Sequence, residues 1–408
     1  MLILSLYSEA YSVSGSELYL EIINETFDFI MKDMLGEYHN FYSALDADSI
    51  DKSGKKVEGA YYVWGKEELK KILGKDFELF SKYFNVNDYG YWEHGNYVLI
   101  KNKNIDDFAK ENNIDVELLK SKIEGWKQNL LNIRGERIAP EIDDKSLLSW
   151  NSLMAKALLD AYNKTNNLSF KDAAKSNIGF IEEKLMKDKV LLQHNFAKAK
   201  STINGFLEDY ALLIDTFIAM YQVEFEEKYI FKAKELSDYV LKHFYDSKSG
   251  MFFFTSDEDS DLLSRKIETY DGVIPSSNSV MASNLLKLYH FFMESEYYDI
   301  VEQMLKNMQE LIAYNPSAYS NWLNVFTDFN NEFFEIAIVG ENAYEFAEEI
   351  NKKYIPNKII AASMVASDVP LLKDRYQSDE TLIFICTHGT CNMPSKSLDS
   401  AMKILEAE

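Results

Sequence analysis

The sequence predicts a mainly α protein, an α/α toroid with a small C-terminal α/β unit. Two observations lead there. Residues 25–51 and 235–261 repeat one pattern: Glu25/Glu235, Asp28/Asp238 and Lys32/Lys242 lie on an amphipathic helix, followed by an aromatic run and an Asp-x-Asp-Ser turn. Such a unit cannot bury its own apolar face and must stack on copies of itself. Between the copies, apolar helices ending at Tyr162, Tyr221 and Tyr289 alternate with charged amphipathic ones. From Phe206 to Tyr221 apolar residues cover almost every side, whereas from Ser169 to Met186 they form one stripe (Phe170, Ala173, Ala174, Ile178, Ile181, Leu185) opposite Lys171, Asp172, Lys175, Glu182 and Glu183. A helix apolar all round is buried all round, and a striped one faces water on one side. An inner and an outer ring of helices follow.

In chain order, LILSLYSEAY and LYLEIINETFDFIMKDM form a first apolar and amphipathic pair, and a last apolar-faced helix begins near SAYSNWLNVFTDF. Residues 1–329 are the expected barrel. Residues 59–142 interrupt it with helices at KEELKKILG and DVELLKSKIEGWKQNLLNIRGER, which would supply a further hairpin of the ring. The Gly-, Asn- and aromatic-rich stretch Tyr89–Tyr97 reads first as a packed Ω-loop anchored by Trp92, and second as a loop bringing Trp92, Glu93 and His94 to the barrel mouth. Residues 330–408 change texture: strand FFEIAIVG, helix NAYEFAEEINKKYI, strands NKIIAASMV and TLIFICTHG, and helix SKSLDSAMKILEAE make a small α/β unit with a parallel component. Gly340 stands alone without a phosphate-loop pattern, so no nucleotide is assigned.

Composition narrows the partners. A chain of 408 residues, 47% hydrophobic, has material for one large core and a smaller one. Its net charge of −23 repels phosphate backbones and anionic lipid, which argues against nucleic acid and membrane. MLILSLYSEAY lacks a basic leader and is too short to span a bilayer, so a cytoplasmic location is expected. Two cysteines, Cys386 and Cys391, exclude a disulfide framework, and their spacing before Pro394 reads as a structural turn in preference to a disulfide or redox pair. Six histidines without HxH or HxxxH spacing give no metal site, and no cofactor is expected.

Candidate chemistry gathers at the starts of the inner helices. Asp143 and Asp144 precede one, Glu208 and Asp209 open the next, and Asp271 stands before PSSNS at the third. Parallel inner helices bring these ends together, with Trp150, Tyr210, Tyr270 and Trp92 as aromatic company. Paired carboxyls beside rings suit sugar chemistry, since ring faces stack on aromatics and acid/base work uses two carboxyl groups. Each acid also has a structural reading, as Asp and Ser cap helices and the macrodipole favours anions there, and for any single residue that reading is the stronger. Glu208, flanked by Phe206 and Tyr210, is the candidate acid, and Asp271 or Asp144 the base. Histidine offers a second chemistry through His94 and His194, whereas His243 and His290 read as surface or packing residues.

FYSALDADS, YYVW, YWEHGN, RIAPEIDDKSLLSWNSLM, GFLEDYALLID, GMFFFT, YDGVIPSSNSV and CTHGTCNMP, in this order, resemble the YyaL family, whose vertebrate members are spermatogenesis-associated thioredoxin-like proteins. The resemblance implies a barrel similar to six-hairpin glycosidases and N-acylglucosamine 2-epimerases, and a link to carbohydrate metabolism. Within these motifs Arg137, Asn151 and Asn278 join Trp92, His94, Trp150, Tyr210 and Tyr270 as candidate substrate-binding residues, beside Glu208, Asp209, Asp271 and Asp144 as candidate catalytic ones. The chain departs from the family at Ser152 and Ser277, where the pattern has Gly, and at His94. It also lacks the family's thioredoxin-like domain and first barrel elements, which implies an open ring with an apolar flank on the first hairpin. Two functions follow: a carbohydrate-active enzyme, hydrolase or epimerase, binding a small sugar, or a non-catalytic scaffold working with a thioredoxin-like partner in trans.

Overall fold

The recurrent tyrosines mark how the inner helices stop. The computed structural model describes residues 1–197, 203–259 and 264–406; Ser260, which closes the second Asp-x-Asp-Ser turn, lies outside them. Helix α1 (Leu2–Ser14) ends at Gly15 in the left-handed conformation, and the Gly15 N–H returns to the Tyr11 carbonyl. It is followed antiparallel by α2 (Glu17–Phe29).

Residues 44–143 form a compact unit of their own. Its helices are α3 (Lys66–Leu73), α4 (Phe77–Tyr83), α5 (Ile105–Glu111) and α6 (Val116–Gly135). They pack around Trp64, Phe77, Phe80, Tyr83 and Trp126, a core separate from the others. Ala44 pairs with Asp143, so the segment leaves where it enters.

The other unit, residues 1–43 and 144–408, carries the repeat. Helices α7 (Leu148–Thr165), α9 (Leu207–Glu224) and α11 (Ser277–Phe292) each end in a left-handed residue, Asn166, Phe225 and Met293, whose N–H bonds the carbonyl of Tyr162, Tyr221 and Tyr289. Each turns into an outer helix: α8 (Leu168–Phe180), α10 (Glu227–His243) and α12 (Ser295–Tyr314). Helix α13 (Ser320–Asn330) closes the series. Inner helices pack in sequence, α1 on α7, α7 on α9, α9 on α11 and α11 on α13, and each outer helix covers its own inner one. This is an α/α toroid. The all-round apolar α9 is buried on nearly every side, whereas α10 buries only one stripe. The first hairpin leaves Ile3, Leu6 and Val13 exposed.

A second repeated device joins the layers. After each outer helix the chain returns as a short extended segment, and the inner helix grips its backbone. Asn151 accepts from Phe41 N (2.7 Å) and donates to Phe41 O (3.1 Å). Asn278 does the same to Phe252, at 2.9 Å both ways. At the equivalent place in α9, Tyr210 Oη accepts from Leu192 N at 3.2 Å. Phe41 and Phe252 are matching positions of the sequence repeat, each five residues before its Asp-x-Asp turn.

The C-terminal segment adds a four-stranded sheet. Strand β1 (Phe334–Val339), wholly buried, lies between parallel β2 (Lys358–Ser363) and antiparallel β3 (Leu382–Thr387), with β4 (Thr390–Cys391) beyond β3. Helices α14 (Ala343–Asn351) and α15 (Leu398–Leu405) complete it. The cysteine turn requires a correction. Register places Cys386 opposite Cys391 and their sulfurs are bonded, so the pair is a disulfide, because an antiparallel hairpin brings the two side chains to one face. His290 packs in the core, stacked on Phe333 at 4.4 Å with Nδ1 2.7 Å from Glu335.

Among the described residues no helix is long and apolar enough to cross a membrane. A cavity of about 860 Å³ runs between α1, α7, α9, α11 and α13 and ends against residues 354–358.

Candidate active site

The N-terminal ends of α7 and α9 meet through one carboxylate. Asp209, in the first turn of α9 and fully buried, accepts the N–H of Phe206 (2.9 Å) and the N–H of Ser149 at the start of α7 (3.0 Å). Burial is the largest influence and raises its carboxyl above the usual range, while these donors and His194 favour the ionised form. Its Oδ2 also meets His194 Nδ1 at 2.9 Å. His194 is held from its own side: its carbonyl accepts from Leu148 N (2.8 Å), and its N–H donates to Ile203 O (2.9 Å). The ring lies 4.8 Å from that of Phe206, which stacks on Phe254 at 5.1 Å.

Glu208 is the half-buried neighbour. Ser149 Oγ donates to its Oε1 at 3.4 Å. Burial pushes its carboxyl up to about 7; the charges of Asp209 and Glu268 add to this, and His194 opposes it. For His194, burial works against the charged form, but the hydrogen bond and charge of Asp209 outweigh it and hold the imidazole above its usual value. Glu268 receives a hydrogen bond from Ser277 Oγ at 3.2 Å, at the N-terminus of α11. The site therefore joins a carboxyl that titrates near neutrality to an oriented histidine, which is the equipment of proton transfer.

His194, Glu208 and Asp209 bring their donor atoms within 4.8 Å of one another, a set that offers ligands to a metal ion. Asp209 is buried and its oxygens already hold Phe206 N, Ser149 N and His194 Nδ1, so an ion bound through them would compete with the α7–α9 junction, whereas His194 Nε2 and Glu208 stand outside those bonds.

The structure distributes the other sequence candidates differently. Asp271 accepts from Ser276 N (2.8 Å), Ser279 Oγ (2.8 Å), Asn321 N (2.9 Å) and Trp322 N (3.4 Å), and so fastens the starts of α11 and α13. Asn151, Asn278 and Tyr210 are the layer grips described above, with Tyr210 stacked on Tyr239 of the outer helix at 5.3 Å. Asp144 is exposed, Trp150 half-buried, and Tyr270 exposed with its ring 6.1 Å from Tyr319. Arg137, Trp92 and His94 belong to the unit of residues 44–143. Arg137 lies 4.0 Å over the Trp64 ring, donates to the carbonyls of Tyr61 and Val63 (2.8 Å each) and pairs with Glu68. Trp92 is 44% exposed and anchors nothing; its loop is held instead by Asn85, which donates to Ile100 O at 2.7 Å, and by the Tyr91–Tyr97 ring pair. His94 occupies a positive-φ turn position beside Gly95. Sequence reasoning did not single out Ser149 or Glu268, noted Ser277 only as a departure from the family pattern, and named His194 without connecting it to Glu208.

No protein-family model matches the chain. It is 26% identical over 433 residues to spermatogenesis-associated protein 20 of Homo sapiens, an alignment covering 95% of this chain and 55% of that protein. The chain is a homologue of that protein. An uncharacterized protein of Caenorhabditis elegans is 27% identical over 413 residues, covering 92% of this chain and 56% of the relative. The chain thus spans about half the length of these relatives. Among solved structures it is similar to a cellobiose 2-epimerase from Bacillus thermoamylovorans (TM-score 0.44, 13% identity, 75% of this chain and 58% of that one). A family 76 α-mannanase from Bacteroides thetaiotaomicron gives a TM-score of 0.34 at 14% identity, over 74% and 73% of the two chains.

Proposed function

We propose that this protein is a carbohydrate-active enzyme whose chemistry is proton transfer on a small sugar at the junction of α7 and α9. The observation that supports it most directly is Glu208: a carboxyl raised to about 7, beside a histidine that a buried aspartate orients. In this reading Glu208 gives and takes the proton, His194 is its partner, and Asp209 is a positioning residue that never meets the substrate. The stacked rings of Phe206 and Phe254 supply an apolar wall for a sugar face. Isomerisation or epimerisation fits better than a retaining hydrolysis that uses Asp209, because that mechanism needs a second carboxylate with free oxygens and Asp209 has none.

The test is incubation with aldoses and ketoses in D2O. Deuterium entering the carbon next to the carbonyl, lost in Glu208→Gln, supports the proposal; release of reducing ends from disaccharides without exchange would replace it by hydrolysis.

A second reading draws on the length difference. Relatives almost twice as long leave room for a non-catalytic scaffold that serves a thioredoxin-like domain or partner. Binding to a separate thioredoxin-like chain, with no response to any sugar, would favour it.

A further inference from the structure

The cavity between the inner helices is lined by charge, and its charges do not all pair. Lys156 meets Asp160 at 3.0 Å, Lys287 meets Asp215 at 2.8 Å and Lys164 meets Glu9 at 3.3 Å. Lys164 is satisfied further by the carbonyls of Asn351 and Lys353, both at 3.1 Å. Two groups remain, Asp328 on α13 and Lys358 at the start of β2, where the C-terminal segment closes the cavity.

Lys358 is the anomaly. An ammonium has three donors, and the one bond found for Lys358 runs to the Ile355 carbonyl at 3.3 Å. The residue is partly buried and lines the cavity. Burial pushes the Lys358 amine down to about 7; the charge of Lys164 adds to this and that of Glu9 opposes it. Asp328 lies along the same cavity but acts on Lys287. An amine so placed gives up its proton readily unless an anion arrives to stabilise the charged form.

We propose that the cavity is a binding site for a small oxyanion, a phosphate or a carboxylate, with Lys358 as its principal ligand. A volume of about 860 Å³ leaves room for a metabolite that carries such a group. The net negative charge of the chain repels anions in general, so selectivity rests on this cavity-lining amine. The site is independent of the Glu208 cluster, since none of the Glu208, His194 and Asp209 side chains lines the cavity.

The experiment uses the full chain and two probes, inorganic phosphate and acetate, in calorimetric titrations at constant ionic strength. Saturable binding of one probe, at least tenfold weaker in Lys358→Met, is expected, and the probe that binds identifies the anion class. The same probe should slow modification of Lys358 by an amine-reactive reagent, read by peptide mass spectrometry on wild-type protein, while surface lysines react unchanged. That readout stands even where the variant fails to fold. No heat with either probe, equal binding to Lys358→Met, or a labelling rate indifferent to both would overturn the proposal.

Discussion

Glu208 and Asp209 are adjacent in sequence and opposite in role. Asp209 is buried against two backbone donors and a histidine; Glu208 keeps one weak donor and partial access to water. Because the folded carboxyl of Glu208 titrates near 7 while an unfolded one titrates near 4.5, the native state holds a proton that the unfolded chain has released. Stability from this group is therefore present below about pH 4.5 and lost as pH rises to 7. Glu208→Gln should match wild type at pH 4.5 and exceed it by about 2 kcal/mol at pH 8, allowing for partial exposure, by denaturant melts at both pH values. If Glu208 acts as an acid, turnover should also decline above pH 7. Asp209→Asn places an amide among donors. It should cost about 2 to 4 kcal/mol and return His194 toward its ordinary titration, read by NMR of the imidazole. An unchanged His194 midpoint would remove Asp209 from its positioning role. These roles were not legible in the sequence, because a capping aspartate and a catalytic one are the same residue at the same helix position. His194 and Glu208 are brought together by a hairpin return and not by any spacing within a helix.

The inner helix is the recurring element, and its two ends were unequally readable. Its C-terminus was legible from Tyr162, Tyr221 and Tyr289, since the left-handed stop recurs four residues after each tyrosine. Met293 pays for that geometry with a side chain where glycine is favoured, and it is 40% exposed. Met293→Gly should raise stability by about 1 kcal/mol, seen as a higher melting temperature; a loss would mean that the side chain's contacts outweigh the backbone strain. The N-terminal half was misleading. Asn151 and Asn278 have the chemistry of sugar ligands, yet they grip Phe41 and Phe252, and Tyr210 grips Leu192. Asn278→Ala leaves Phe252 N unbonded and should cost about 2 kcal/mol without altering sugar affinity in the fraction that stays folded. A sugar response lost in a fully stable Asn278→Ala would return this residue to the site.

Across the whole molecule, alternation of apolar and amphipathic helices was enough to read the toroid, because each hairpin buries its face only on its neighbours. The α/β segment was equally plain from its six-residue apolar strands. The insertion was read as ring material, since amphipathic helices look alike whether they face a barrel or a private core. Its core of Trp64, Phe80 and Trp126, together with its paired ends, predicts that residues 44–143 made alone fold cooperatively, with a single thermal transition and dispersed amide resonances. A collapsed fragment without such dispersion would contradict this. The cavity was invisible in sequence for a related reason: Lys156, Asp160 and Asp215 sit in helices read as apolar, and only the side-by-side packing of the inner helices brings those polar residues to one cavity.

Sugar recognition at Glu208 is measured most directly by thermal stabilisation of the purified chain with a panel of aldoses, ketoses, amino sugars and disaccharides. A ligand at a hundred times its dissociation constant adds about 2.7 kcal/mol, well within detection. A sugar that raises the melting temperature of wild type and of Lys358→Met, but not of Glu208→Gln or His194→Gln, is the predicted result. A folded wild-type chain indifferent to every sugar, or a response that survives both substitutions at the α7–α9 junction, would contradict it.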